Sequence, residues 1–174
     1  MELQPTLIGK LVVLRPTVPE DWAAMLAVAS DPLIWALHPA HDRWQEREFR
    51  AYFADALASG GALTIVDKAS GAVIGGSRYA FHDPERDEIE IGWTFLARPC
   101  WGGAYNRDVK RLMVNHMLRF VGCVVFQVGE ENWRSRAAMA KIGGVLRDEM
   151  IERTYGTEAR VVRQCVYEMR APMP

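Results

Sequence analysis

The segment that most limits what this chain can fold into runs from Glu88 to Val128. Residues Glu88 to Leu96 alternate strictly, with Ile89, Ile91, Trp93 and Phe95 on one face and Glu88, Glu90, Gly92 and Thr94 on the other. A period of two predicts a half-buried strand with a polar face. A loop bearing Gly102 and Gly103 follows, and then Asn106 to Phe120, whose Val109, Leu112, Met113, His116, Met117 and Phe120 recur at helical spacing. Asn106 suits an N-cap and Asp108 the first turn. Cys123 to Val128 is continuously apolar, the pattern of a strand covered on both faces.

The flanks supply the rest of a sheet. Leu11 to Leu14 reads as a short strand. Pro19 opens a helix with Trp22, Met25, Leu26 and Ala29 on one face, stopped at Asp31-Pro32. A second helix fits Trp44 to Ala58, with Phe49, Phe53, Ala56 and Leu57 inward and Gly60-Gly61 ending it. Ala62 to Asp67 and Ala72 to Phe81 flank a turn at Lys68 to Gly71 and form a hairpin. A short helix from Asn132 to Ile142 stops at Gly143-Gly144. Two last strands, about Val145 to Arg153 and Arg160 to Arg170, flank a turn at Tyr155 to Glu158. The expectation is an α/β (α+β) chain with a mixed sheet and helices on both faces.

With 174 residues, 49% of them hydrophobic and 25% charged, and no linker or repeat, the chain reads as one domain over residues 1–174. A formal net charge of -1 offers no bulk field for nucleic acid. Cys100, Cys123 and Cys165 are widely spaced without a CxxC, which argues against a disulfide framework and a zinc site. Met1 to Pro5 has neither a basic head nor an apolar signal core. The longest apolar runs fall far short of the ~18 residues of a membrane span. The expectation is a soluble, cytoplasmic protein without a membrane partner.

Chemistry points first to the glycine loop. A helix N-terminus carries about half a positive charge and several unpaired N–H groups, and glycines let the backbone approach an anion. Residues 98 to 119 hold Arg98, Arg107, Lys110, Arg111 and Arg119 against Asp108 alone, a net +4. A phosphate or pyrophosphate seat and an ordinary strand-to-helix turn both fit. Neither a Walker loop nor a dinucleotide-binding GxGxxG is present.

The strand EIEIGWTFLARP, the loop CWGGAYN, the helix after it, the strand CVVFQV and the segment ENWRSRAAMAKIGG together resemble the GNAT N-acetyltransferase superfamily. The likeness is greatest to its ribosomal-protein N-terminal acetyltransferase branch. The resemblance implies an acyl-CoA N-acyltransferase fold with a mostly antiparallel sheet, and acetyl-CoA as cosubstrate without a metal. It implies that amides near Gly102, Gly103, Ala104, Asn106 and Arg107 hold the pyrophosphate, and that the strand end at Thr94, Phe95 and Leu96 bonds the pantetheine arm. Three positions depart from the family loop: Trp101 stands for Gln or Arg, Ala104 for the first glycine and Asn106 for the last Gly or Ala. Asn132 and Ser135 match an Asn-x-x-Ser whose asparagine touches the CoA arm and whose hydroxyl reaches the thioester sulfur. An N-cap and a first-turn serine are the plain alternative.

Acetyl transfer to an amine needs a deprotonated nucleophile, a stabilised oxyanion and a donor to the leaving thiolate. Deprotonating a lysine at pH 7 costs about 4.6 kcal/mol, an α-amine only about 1 kcal/mol, so a weak base suffices for an α-amine. Glu90, ahead of Glu88, is the candidate base. Both lie in a stretch, residues 83 to 90, of net charge -4. A backbone N–H near Phe95 would hold the oxyanion, and Ser135, ahead of Tyr105, would serve the sulfur. His38 and His41 form an HxxH pair without a convincing third metal ligand, and His116 reads as a core histidine. Trp35, Trp44, Trp101 and Trp133 read as packing anchors or pocket walls. The acceptor is expected to be a peptide or protein N-terminus, or a small-molecule amine such as an antibiotic or polyamine. A non-catalytic acyl-CoA-binding module and a nucleotide-phosphate binder are the alternatives. The final hairpin leaves a homodimer open.

Overall fold

The two periods read from the sequence, two and 3.6 residues, sort into the strands and helices of one eight-stranded sheet, seen in a computed structural model that describes residues 1–156 and 159–174. In chain order the elements are β1 (Leu7–Ile8), β2 (Val12–Pro16), a 3-10 turn (Pro19–Asp21), α1 (Trp22–Ala29), α2 (Pro32–Trp35) and α3 (Glu46–Ala58). Then come β3 (Ala62–Asp67), β4 (Val73–Asp83), β5 (Glu88–Leu96), α4 (Ala104–Met117), β6 (Cys123–Gly129), α5 (Trp133–Lys141), β7 (Val145–Tyr155) and β8 (Arg160–Met169). The strand order is β1-β2-β3-β4-β5-β6-β8-β7. Every neighbouring pair is antiparallel except β5 and β6, which are parallel because α4 carries the chain back across the sheet between them.

That one parallel pair shapes the molecule. Its ladder covers only Glu88 to Glu90 against Cys123 to Val125, and beyond it the two strands part into a fork. A bulge in β5 lies where they separate. Gly76 pairs with Phe95 and Arg78 with Gly92, so β5 spends one more residue than β4 over the same span, and Trp93 takes a φ of 52°. A bulge bends its strand and adds local twist.

The bulge also corrects the strict alternation expected for this strand. Ile89 and Ile91 pack in the core that α4 closes, with Val109, Met113 and Met117. Phe95 and Trp93 lie instead in the cluster of Met25, Trp35, Phe49 and Tyr52, on the α1 and α3 side. An extra residue in a period-two strand turns every later side chain to the other face. Glu88 and Glu90 are buried, not spread over a solvated polar face.

Other local differences have local causes. Asp31 does not merely stop α1: its carboxylate accepts from the Leu33 amide and caps α2. The helix expected from Asn106 begins at Ala104 with Gly103 as N-cap, and Asn106 falls inside its first turn. Asp108 does not serve the helix end. It is buried, accepts from the Leu11 and Val12 amides and pairs with Arg111, tying α4 to the β1–β2 corner. Tyr52 takes the inward place expected of Leu57 on α3, and Phe120 lies exposed beyond the end of α4. Of the turn expected at Tyr155 to Glu158, Thr157 and Glu158 lie outside the described residues. The three cysteines are buried and unpaired. Among the described residues no helix is long and apolar enough to cross a membrane.

Candidate active site at the strand fork

The loop from Arg98 to Gly103 leads from the open arm of β5 into α4. Gly102 and Gly103 have φ of 100° and 132°, a region that favours glycine, and a Cβ on either would meet open space. Positive φ, not crowding, therefore demands glycine here. Ala104, at the head of the helix, is exposed, and the amides of Ala104, Tyr105 and Asn106 precede the first bond of the helix ladder. The Arg107 amide already donates to the Gly103 carbonyl at 2.8 Å. The exposed guanidinium of Arg107, not its amide, is the group left for an anion.

The fork is closed on the α4 side by Lys110. The residue is 3% exposed, and its ammonium donates to Thr94 Oγ1 at 2.8 Å and sits 5.1 Å from the Phe126 ring centre. Thr94 Oγ1 in turn lies 2.7 Å from Ser77 Oγ. Burial pulls the Lys110 pKa down to about 7. Thr94 thus points at α4 and is engaged by its own protein, while Phe95 buries its ring in the aromatic cluster. The Leu96 carbonyl accepts from Trp101 Nε1 at 2.9 Å, which folds the loop back onto the strand end. Arg134, at the start of α5, lies 4.1 Å over the Trp101 ring. These contacts join both arms of the fork at its mouth.

Asn132 and Ser135 meet there as cap and capped. Asn132 is buried, and its Oδ1 accepts from the Ser135 amide at 3.2 Å. The Ser135 hydroxyl makes no hydrogen bond among the described residues and is half-buried.

Glu90 lies on the opposite face of the sheet. It is 1% exposed, and both oxygens are held by Arg153 of β7, at 3.0 and 2.7 Å. Burial pushes its pKa up against the pull of Arg153. Arg153 lies over Trp93 and Phe81, and Arg78 of β4 covers Trp93 from 4.7 Å. Glu88, one strand period farther from the fork, is tied to Arg147 at 2.7 Å within a network that includes Glu149 and Glu168.

A cavity of about 230 Å³ opens on this face, lined by Trp93, Arg78, Tyr52, Arg43 and Asp42 among others. The loop after α2 forms one wall. It crosses the end of β6 where Gly129 has no side chain; a Cβ there would come within 2.8 Å of Pro39. His38 in this loop stacks edge-on to Trp35 and Tyr155 and accepts from the Ala40 amide at Nδ1. Burial, with Arg43 and Arg134 nearby, keeps it well below the ordinary imidazole range. His41 meets Arg160 instead, so the two imidazoles engage different partners. No cluster of three metal-ligating side chains occurs among the described residues.

The sequence reading counted Lys110 only among the cations near the glycine loop, and missed Arg78, Arg43 and Arg153 as neighbours of the candidate site. Lys110 carried a signal, since it adjoins Val109 and Met113 on the inward face of α4. The three arginines had none, because they come from β4, β7 and a loop.

The sequence profile described as an acetyltransferase (GNAT) domain matches residues 12–145. Among curated proteins no sequence matches. Among solved structures, a GCN5-related N-acetyltransferase from Brucella melitensis superposes with a TM-score of 0.78 at 19% identity, over 96% of this chain and 79% of that one. An acetyltransferase (GNAT family) from Bacillus anthracis gives 0.73 at 15% identity, over 95% and 98%. The microcin C7 self-immunity acetyltransferase, in complex with acetyl-CoA and AMP, gives 0.76 at 12% identity, over 98% and 99%.

Proposed function

We propose, from the premise that this chain belongs to the acetyltransferase (GNAT) family, that it transfers an acetyl group from acetyl-CoA to a primary amine within a ternary complex. Residues 1–174 act as one catalytic domain. The observation that carries the reading is the fork between β5 and β6, with a glycine-opened helix N-terminus at one end and a cavity on the other face of the sheet at Trp93.

The residues fit the cosubstrate. Two open glycines and three uncommitted first-turn amides suit a diphosphate, with Arg107 beside them. Asn132 orders the start of α5, so Ser135 offers its free hydroxyl to the departing sulfur. The amine nitrogen attacks the thioester carbonyl, the carbon–sulfur bond breaks, and CoA leaves as the thiol. The chain's task is to hold the amine, remove its proton and keep water out. An α-amine loses its proton at pH 7 for about 1 kcal/mol. Glu90 is the base at the acceptor face. Burial raises its pKa, which makes it a stronger base than an exposed carboxylate. The reading is of a soluble enzyme acting in the cytoplasm.

The test is a heat-shift series with acetyl-CoA, CoA, ATP and NADPH, joined to an acetylation screen of α-amine peptides, lysine peptides, polyamines and aminoglycosides. Acetyl-CoA and CoA stabilise by about 2.7 kcal/mol at a hundred times their dissociation constants. Stabilisation by ATP and not by CoA overturns the reading. Binding of acetyl-CoA with no acceptor turned over, or with Ser135→Ala and Glu90→Gln leaving turnover unchanged, returns the protein to an acyl-CoA-binding module or removes these two residues from the chemistry.

A further inference from the structure

Two arginines, Arg43 and Arg78, line the acceptor cavity. Arg15, Arg98, Arg111, Arg147, Arg153 and Arg160 are each paired with a carboxylate. Arg78 and Arg43 have no carboxylate within ion-pair distance among the described residues. Arg78 is 6% exposed, and among the described residues its one side-chain hydrogen bond runs to the Tyr52 carbonyl at 3.4 Å and its buried Nε has no partner. The side chain of Arg43 makes no hydrogen bond among the described residues. Its guanidinium is held by the faces of Trp35 and Tyr52, at 5.1 and 4.8 Å.

Stacking explains how the cations stay in place but not why they are there. Aromatic faces cover the flat sides of a guanidinium and leave its N–H edge free, and that edge matches an oxyanion in two-point geometry. A buried guanidinium without a counter-ion is costly. Burial lowers the pKa of both arginines, and Arg78 lowers that of Arg43 further. The acids around the cavity act on the pair only through space, Asp42 on Arg43 and Asp55 and Glu90 on Arg78, and none forms an ion pair with either among the described residues. Asp42 is bonded to Arg160, Glu48 is bonded to Arg47, and Asp55 is exposed on α3. Asp42 also keeps one buried oxygen, Oδ1, without a donor among the described residues.

We propose that the acceptor is a small amine that also carries an oxyanion, a carboxylate or a phosphate, and that Arg43 and Arg78 receive that oxyanion in the cavity beside Trp93. This rests on the acetyl-transfer reading and narrows it. Asp42 Oδ1 accepts a hydroxyl or N–H of the same molecule. A volume of about 230 Å³ holds an amino-acid-sized or amino-sugar-phosphate-sized group. Polyamines and aminoglycosides are disfavoured, because two guanidiniums without an ion-pair partner among the described residues repel a polycation.

The experiment pairs each oxyanion amine with its neutral match: free α-amino acids against their carboxamides, and aminoalkyl phosphates against the amino alcohols, with acetyl-CoA saturating and thiol release as readout. At least one oxyanion amine exceeds its match in kcat/KM by tenfold or more. Arg78→Met and Arg43→Gln each raise its KM by roughly 10- to 100-fold, the range for a charged hydrogen bond, and leave the KM for acetyl-CoA unchanged. Arg43→Gln, at a half-exposed position, carries the test where Arg78→Met fails to fold. Thermal stabilisation by the oxyanion amines alone, lost in the same variants, is read in parallel and needs no turnover. Equal turnover of neutral matches, unchanged KM in a folded variant, or no selective stabilisation overturns the proposal while leaving acetyl transfer standing. Failure of acetyl-CoA itself to bind counts against the acetyl-transfer reading instead.

Discussion

Replacing Lys110 with methionine tests the physics of the fork through its pH dependence. The Lys110 amine is buried with one hydroxyl partner, Thr94 Oγ1, and among the described residues no carboxylate is bonded to it. Its pKa in the folded protein is about 7 against an ordinary 10.5. Between those values the unfolded chain binds a proton that the folded chain does not, so stability rises with pH across that window. Below pH 7 both states hold the proton and the full penalty of the buried charge is present. At about 1.4 kcal/mol per pH unit the penalty reaches roughly 5 kcal/mol as a ceiling, which relaxation around the amine reduces. Methionine has a similar length, no charge and no titration. Urea unfolding of both proteins at half-unit steps from pH 6.5 to 9.5 isolates this one group in the difference between the two curves. Lys110→Met is the more stable protein at pH 7, and its advantage shrinks steadily as pH rises. Parallel curves over that range, or an advantage that grows with pH, refute the assignment of a depressed amine.

Gly103→Val forces a branched side chain into a φ of 132° at the N-cap of α4. It costs about 1–3 kcal/mol and weakens acetyl-CoA binding in the heat-shift assay, whereas loss of stability without loss of binding disconnects the loop from the cosubstrate. Glu90→Gln leaves Arg153 without its buried counter-charge and destabilises by roughly 3–5 kcal/mol. The double variant Glu90→Gln/Arg153→Met recovers most of that stability in urea titration and stays slow in acetylation; recovery of activity as well makes the pair purely architectural. Asn132→Ala removes the cap of α5, costs about 1 kcal/mol, and raises the KM for acetyl-CoA more than it lowers kcat.

The four longer helices and most strands were legible because burial against one neighbour is written locally, whereas the four-residue α2 and the two-residue β1 were not. The β3–β4 hairpin has its turn at Lys68 to Gly71, and β5 runs from Glu88 to Leu96 as its composition indicates. Asn132 announced its cap by residue type. The β5 bulge was illegible, because Trp93 and Phe95 continue an apolar alternation that reads the same whether or not one residue is inserted. The inserted residue decides the face, and so separates Thr94, turned toward Lys110, from Glu90, turned toward Arg153.

By itself the sequence determined which segments bury a face, where the backbone must turn, and that the chain resembles an acetyl-CoA-dependent family. Tertiary structure alone decided which charges meet. Glu90 and Arg153 lie 63 positions apart, and the cavity draws Arg43, Arg78 and Trp93 from a loop and two strands. Periodicity reports how each segment divides itself between core and water, while pairing of distant charges depends on strand register and one bulge, neither of which leaves a local trace in residue order.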